Sequence, residues 1–293
     1  MNQAGGITRR TALTSMAASG GMMFMGSSKA QEENPEVINE VCSGRLKQSV
    51  CRWCFRGLTL EELAEVAVDL GLVAIDLLNL EEAAVVKKYG LTCSMVNGPG
   101  TIEDGWNAPH NHDRLVARSE ELLPKIAEAG LKNMIVFSGN RQGLPDDQGI
   151  LYCVRGLSRI MPMAESLGIN VCMELLNSKR NHPDYQCDYT LWGVELAKSL
   201  GSKNFSLLYD IFHMQIMEGD IIDTIQEHIE YIGHFHTGGV PGRNEIDDSQ
   251  ELNYRRISQA IADTGFEGYF AHEFVPTHEP IASLRQAVKI CTV

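Results

Sequence analysis

From about residue 45 the chain repeats one unit: a short apolar or β-branched run, then a helical pattern. Runs that read as strands lie near residues 49–55, 73–77, 92–97, 133–138, 170–176, 205–210, 232–237 and 269–274. Thr59-Leu60-Glu61-Glu62 opens the first helix with a capping box. Helical patterns follow near 81–89, 113–129, 148–167, 190–200, 221–228, 254–264 and 281–290. Gly71, Gly90, Gly130, Gly168, Gly201 and Gly265 stand just past helix ends, where a left-handed residue closes the last turn. Eight such units without a long linker predict an α/β fold, a single (β/α)8 TIM barrel over 46–293, rather than two domains. A doubly wound sheet is the alternative, but no GxGxxG follows the first strand.

The N-terminus follows a different pattern. Residues 1–30 hold no acid and three bases, Arg9, Arg10 and Lys29. Thr8-Arg9-Arg10-Thr11-Ala12-Leu13 precedes a mildly apolar run from Ala12 to Met25, and Ser28-Lys29-Ala30 offers small residues for cleavage. That order predicts a twin-arginine export leader, with the Tat machinery as partner and a periplasmic destination; without a working leader the protein stays cytoplasmic. The run is too short and too weakly apolar to span about 30 Å of hydrocarbon, so stable membrane insertion is not expected. Residues 31–45 are polar and read as a flexible tether. The twin-arginine route carries folded proteins, which suits one loaded with a cofactor before export.

Export bears on the eight cysteines, since an oxidising compartment favours disulfides. Cys93 and Cys172 nevertheless lie inside apolar strand-like runs, where free cysteine is a common small hydrophobe. Cys51 and Cys54 form a CxxC, but on a strand i and i+3 face opposite ways, and no second CxxC completes a four-cysteine zinc site. The formal net charge of −13 repels phosphate backbones and anionic membranes, which excludes nucleic acid as a natural partner.

In a parallel barrel chemistry sits at the carboxyl ends of the strands. Four consecutive strands end in polar residues that a core would reject. The fifth carries Glu174, the sixth Asp210, the seventh His236 and the eighth Glu273, each about one βα unit from the last. Any one of them alone reads as a capped or hydrogen-bonded structural residue. Three neighbouring carboxylates without a countercharge repel one another, and a divalent cation is the simplest way to keep them ionised together. Three carboxylates and one imidazole suit one Mn²⁺, Mg²⁺ or Co²⁺, with Zn²⁺ also open.

Glu174, Asp210-Ile211-Phe212-His213, His236, Pro241-Gly242-Arg243-Asn244-Glu245, Glu251-Leu252-Asn253-Tyr254 and Glu273 stand in a recognisable order. From about residue 50 to 275 the chain resembles the hydroxypyruvate isomerase family of the xylose-isomerase-like barrel superfamily. The resemblance implies a (β/α)8 barrel with one divalent cation held by Glu174, Asp210, His236 and Glu273. Strand seven departs from the pattern: hydroxypyruvate isomerases carry Gln where His236 stands, and sugar epimerases carry His.

The chemistry follows from the residue types. Moving a carbonyl between neighbouring carbons requires taking a proton from one carbon and returning it to the other, while charge develops on two adjacent oxygens. A divalent cation stabilises that charge, and a carboxylate carries the proton. Glu174 and Glu273 are the catalytic candidates: two acids permit epimerisation, and one shuttling acid suits 1,2-isomerisation. His213 resembles the family's substrate-hydroxyl contact, or else supports the metal site. Arg243 reads either as a bidentate partner for a substrate carboxylate or as a loop ion pair with Glu245 or Asp247. Trp106, in the long loop after strand three, reads as a lid over the substrate or as packing. His234 and His272 read as structural.

The expected activity is a metal-dependent isomerase that interconverts hydroxypyruvate and tartronate semialdehyde, or a similar small hydroxy-keto compound. A ketose 3-epimerase is the rival, and an exported sugar-binding barrel without turnover is a third reading from a different class. A DNA-repair nuclease calls for more metal-binding histidines and a basic groove. The partner is a small keto acid or sugar, and a homo-oligomer is compatible with this sequence.

Overall fold

The structure is a computed structural model and describes residues 44–293. The expected leader, 1–30, and positions 31–43 of the expected tether lie outside the described residues. The end of that tether belongs to the barrel instead: the Arg45 N–H donates to Val293 O at 3.0 Å, and its guanidinium pairs with Asp263.

The first strand, β1 (Lys47–Cys51), is shorter than its apolar run. Arg52–Phe55 coils into a 3₁₀ turn because the Arg52 guanidinium donates to the carbonyls of Phe55 and Leu58. Helix α1 (Leu60–Asp69) begins at the expected box: Glu62 N–H donates to Thr59 Oγ1, and Thr59 N–H donates back to the Glu62 carboxylate. Next come β2 (Ala74–Asp76), α2 (Leu80–Val86), β3 (Thr92–Cys93), α3 (His112–Glu128) and β4 (Asn133–Val136). The helical run expected over 148–167 is two helices, α4 (Asp146–Leu157) and α5 (Met161–Leu167). Pro162 divides them, since it has no N–H to give the preceding turn and sits comfortably only at a helix start.

After β5 (Asn170–Glu174), α6 (Thr190–Leu200) and β6 (Phe205–Asp210), a loop is expected at Ile211-Phe212-His213. The chain instead enters α7 (Ile211–Met217) at once, because Asp210 caps it by accepting from the His213 N–H at 3.1 Å. The remaining elements are α8 (Ile221–His228), β7 (Ile232–Thr237), α9 (Tyr254–Asp263), β8 (Tyr269–His272) and α10 (Pro280–Cys291).

The eight strands pair in parallel in the order β3-β2-β1-β8-β7-β6-β5-β4. The two ends close through Val96, whose N–H donates to Asn133 O and whose carbonyl accepts from Ile135 N–H, both at 3.0 Å. That approach requires Gly98, since a Cβ there would meet Ile135 O at 1.8 Å. One apolar core fills the space between sheet and helices. A second, separate cluster of Met95, Ile135, Cys172 and Leu208 is fully enclosed. Cys172 and Leu208 precede Glu174 and Asp210 by two residues, so they share the inward face and form an apolar floor beneath those acids. The seven described cysteines are all free and buried. Among the described residues no helix is long and apolar enough to cross a membrane.

Candidate active site

Strand register brings the four strand-end residues together. Asp210 and His236 are register partners across β6 and β7, and Thr237 pairs with His272, which places Glu273 one residue above. Glu174 closes β5 and pairs with Leu208, two residues below Asp210. Glu174, Asp210, His236 and Glu273 each offer one ligand atom, and these atoms all lie within 4.8 Å of one another. All four are buried. His236 Nδ1 lies 2.6 Å from Glu273 Oε2 and 3.3 Å from Glu174 Oε1.

Arg243 reaches into this cluster. It holds a left-handed backbone conformation, φ 57°, just after Gly242. Its Nη2 donates to Asp210 Oδ2 at 2.6 Å and to Glu273 Oε2, and its Nη1 donates to His213 Nε2 at 2.6 Å. Neither expected loop partner pairs with it. Glu245 accepts instead from the N–H groups of Thr277 and His278 and from the Thr277 and Ser283 hydroxyls, which ties the loop after β7 to the loop after β8. His213 stands at the site as expected, but on the first turn of α7, with the Asn177 amide 2.5 Å from Nδ1.

The electrostatics are uneven. Burial, with the negative charges of Glu273 and Asp210, pushes the Glu174 carboxyl up to about 7. Burial also opposes ionisation of Glu273, but Arg243 and His236 overcome it and bring that carboxyl down to about 2. Asp210 is raised by burial and by Glu273, against the pull of Arg243. His213 is driven well below the usual imidazole range by burial and then by Arg243, so it is neutral.

Trp106 is no lid. It is fully buried in the main core, its ring centroid 6.2 Å from that of His112, and it lies over Gly156 of α4. The bare glycine surface accepts the indole, which turns away from solvent. Two neighbours of the site were missing from the sequence reading. The Trp53 indole N–H donates to Glu273 Oε1 at 2.5 Å from the turn after β1. Asp76, the last residue of β2, lies 2.8 Å from His236 Nε2. Its signal was legible, since Ala74-Ile75-Asp76 also ends an apolar run on a carboxylate.

The donor set fits a divalent cation. His236 Nδ1 is fully buried without a well-directed hydrogen bond, although two carboxylates crowd it. Glu174, Asp210 and Glu273 converge on one imidazole and one guanidinium, that of Arg243. Oxygen donors with one imidazole are the ligands of Mn²⁺, Mg²⁺ or Co²⁺ and tolerate Zn²⁺.

Residues 61–291 match the family model described as xylose isomerase-like TIM barrel. The chain belongs to the xylose isomerase-like TIM barrel family. Among relatives, a human protein named putative hydroxypyruvate isomerase is 31% identical over 112 residues, 38% of this chain and 40% of the relative. The D-psicose 3-epimerase of Agrobacterium fabrum is 34% identical over 135 residues, 44% of each chain. The matched stretch thus spans less than half the length of either relative. The crystal structure of AP endonuclease, family 2 from Brucella melitensis superposes with a TM-score of 0.74 at 22% identity, covering 82% of this chain and 96% of that one. At that identity the likeness establishes the fold alone.

Proposed function

We propose that this protein is a divalent-metal-dependent isomerase that interconverts hydroxypyruvate and tartronate semialdehyde, or a similar small hydroxy-keto compound, by carbon proton transfer. The observation that carries the reading is that Glu174 and Glu273 both lie beside His236 Nδ1, at 3.3 and 2.6 Å, within one buried cluster with Asp210. Paired acids beside one centre are what abstraction and return of a carbon proton require. A cation held by Glu174, Asp210, His236 and Glu273 supplies Lewis-acid stabilisation of two adjacent oxygens when bound. Glu174 and Glu273 hold and move the proton. Neutral His213 can accept from a substrate hydroxyl at Nε2 in place of Arg243 Nη1, and Arg243 offers its guanidinium to a carboxylate. The relative named hydroxypyruvate isomerase supports this substrate class.

A second reading, ketose 3-epimerase, is favoured by His236, the residue that sugar epimerases carry on strand seven, and by the D-psicose 3-epimerase relative. Two acids flanking one centre suit exchange of a proton between the faces of a carbon. A panel of hydroxypyruvate, free ketoses and inositol derivatives, assayed with Mn²⁺-, Mg²⁺- and Co²⁺-reconstituted protein, tests both. Turnover of hydroxypyruvate well above every ketose supports the first reading, and the reverse order supports the second. Binding of sugars without turnover of any compound contradicts both.

The charge sequence of residues 1–30 supports export by the twin-arginine route to the periplasm. A reporter fused to the leader, with Arg9 and Arg10 both changed to Lys as control, tests that. Equal export of leader and control contradicts it.

A further inference from the structure

The barrel lumen behind the four strand-end residues contains a second polar constellation, centred on Asp76. This carboxylate is fully buried, and it collects polar groups from β1, from β7 and from Ser94 just past β3. Its Oδ2 lies 2.8 Å from His236 Nε2 and accepts from Cys51 Sγ at 3.5 Å. Its Oδ1 accepts from the Ser94 hydroxyl and lies 3.2 Å from His234 Nε2. No lysine or arginine takes part in these contacts. β2 and β7 are not neighbours in the sheet, since β1 and β8 stand between them, so Asp76 meets His236 across the lumen.

That placement governs how His236 presents itself. A neutral imidazole carries one N–H, and the partner of one nitrogen decides the state of the other. With a cation at Nδ1, the one N–H of a neutral imidazole stands on Nε2, where the buried Asp76 carboxylate accepts it. Nδ1 is the nitrogen that faces Glu174 and Glu273. The same contact fixes the plane of the ring, which otherwise packs edge-on against His234 at a centroid distance of 5.2 Å.

We propose that Asp76 is a positioning residue that holds His236 with its proton on Nε2 and aims Nδ1 at the cation site formed with Glu174, Asp210 and Glu273. The proposal rests on the metal reading of the site given above. Outer partners of this kind typically contribute 10- to 100-fold to metal affinity. The Ser94 hydroxyl touches only the other oxygen, so it contributes to packing and not to the His236 contact.

The test is a Mn²⁺ titration followed by electron paramagnetic resonance on the wild-type protein, Asp76→Asn and Ser94→Ala. The unsubstituted protein is to bind one equivalent. Asp76→Asn is to raise the Kd for Mn²⁺ by about 10- to 100-fold, and Ser94→Ala is to leave it within about threefold. Should Asp76→Asn fail to fold, a long-range ¹H–¹⁵N spectrum of the Zn²⁺-loaded wild-type protein decides, with His236 protonated at Nε2 and ligated through Nδ1. A folded Asp76→Asn with unchanged Mn²⁺ affinity overturns the proposal and leaves the metal reading standing. So does His236 protonated at Nδ1. A second bound equivalent, lost in Cys51→Ser, also overturns it, because Asp76 would then be a ligand. A wild-type protein that takes up no Mn²⁺ removes the metal reading and the proposal together.

Discussion

Arg243 Nη2 donates to Asp210 Oδ2 at 2.6 Å, so a cation from the loop after β7 rests on a carboxylate from the end of β6. The Arg243 side chain is only 13% exposed, and the other end of its guanidinium lies against His213. A substrate carboxylate entering the mouth would meet this preorganised donor in a partly desolvated site. Removing one partner of such a pair typically costs about 2–5 kcal/mol. Arg243→Ala is therefore expected to lower kcat/KM for hydroxypyruvate by about 30-fold or more while neutral ketoses remain poor substrates. Steady-state kinetics on both compounds checks it. An equal, small loss on both contradicts the hydroxy-acid reading and favours the epimerase.

Glu273 accepts from Trp53 and Arg243 and sits beside His236. Glu273→Gln keeps the shape and one oxygen but removes the group that can carry a proton. Turnover of the metal-loaded variant is expected to fall by about 10²- to 10⁴-fold, with metal affinity largely retained. Activity close to wild type assigns the proton to Glu174.

Glu245 provides the pH dependence of stability. Burial works against its ionisation, but the N–H groups of His278 and Thr277 and the Thr277 hydroxyl bring its carboxyl from the usual 4.5 to about 2. A depressed folded-state affinity for protons stabilises the native state fully above the unfolded value. The contribution disappears as pH falls through the folded value. Glu245→Gln is expected to lose stability on the order of 2 kcal/mol at pH 7, with the difference from wild type shrinking between pH 5 and pH 2. Urea denaturation across that range measures it, and a difference independent of pH contradicts the argument.

Trp106 separates packing from lid chemistry. Truncating a buried tryptophan to alanine costs about 3–5 kcal/mol. Trp106→Ala is expected to lose that much stability and to keep the KM of the folded fraction. Unchanged denaturation with a raised KM would restore the lid.

Much of the barrel was legible because each strand needed only an apolar run and six helical stretches closed on a glycine. Glu174, Asp210, His236 and Glu273 were legible because a polar side chain closing an otherwise apolar strand has to be accommodated by something other than core. The same logic applies to Asp76, but β2 has only three residues, and its terminal acid reads equally well as part of the turn into α2. Trp53 was obscured because Arg52 curls the chain after Cys51, so side-chain directions inferred from a continuing strand do not hold there. The placement of Trp106 depends on Gly156, 50 residues away in sequence, and no local pattern reports that contact. Asp210 announced a helix as well as a candidate ligand. Its carboxylate caps α7 through the His213 N–H, which swings His213 back over the mouth.

Proton transfer at carbon by Glu174 and Glu273 beside a bound divalent cation is read out by deuterium incorporation. Mn²⁺-loaded protein is incubated with hydroxypyruvate or a ketose in D₂O, the metal is removed, and the carbon-bound protons are read by NMR. Exchange is expected at the carbon next to the carbonyl, dependent on the cation and lost in the Glu174→Gln, Glu273→Gln double variant. Isomerised product without solvent deuterium in either wild-type reaction, or exchange that survives in the double variant, would contradict it.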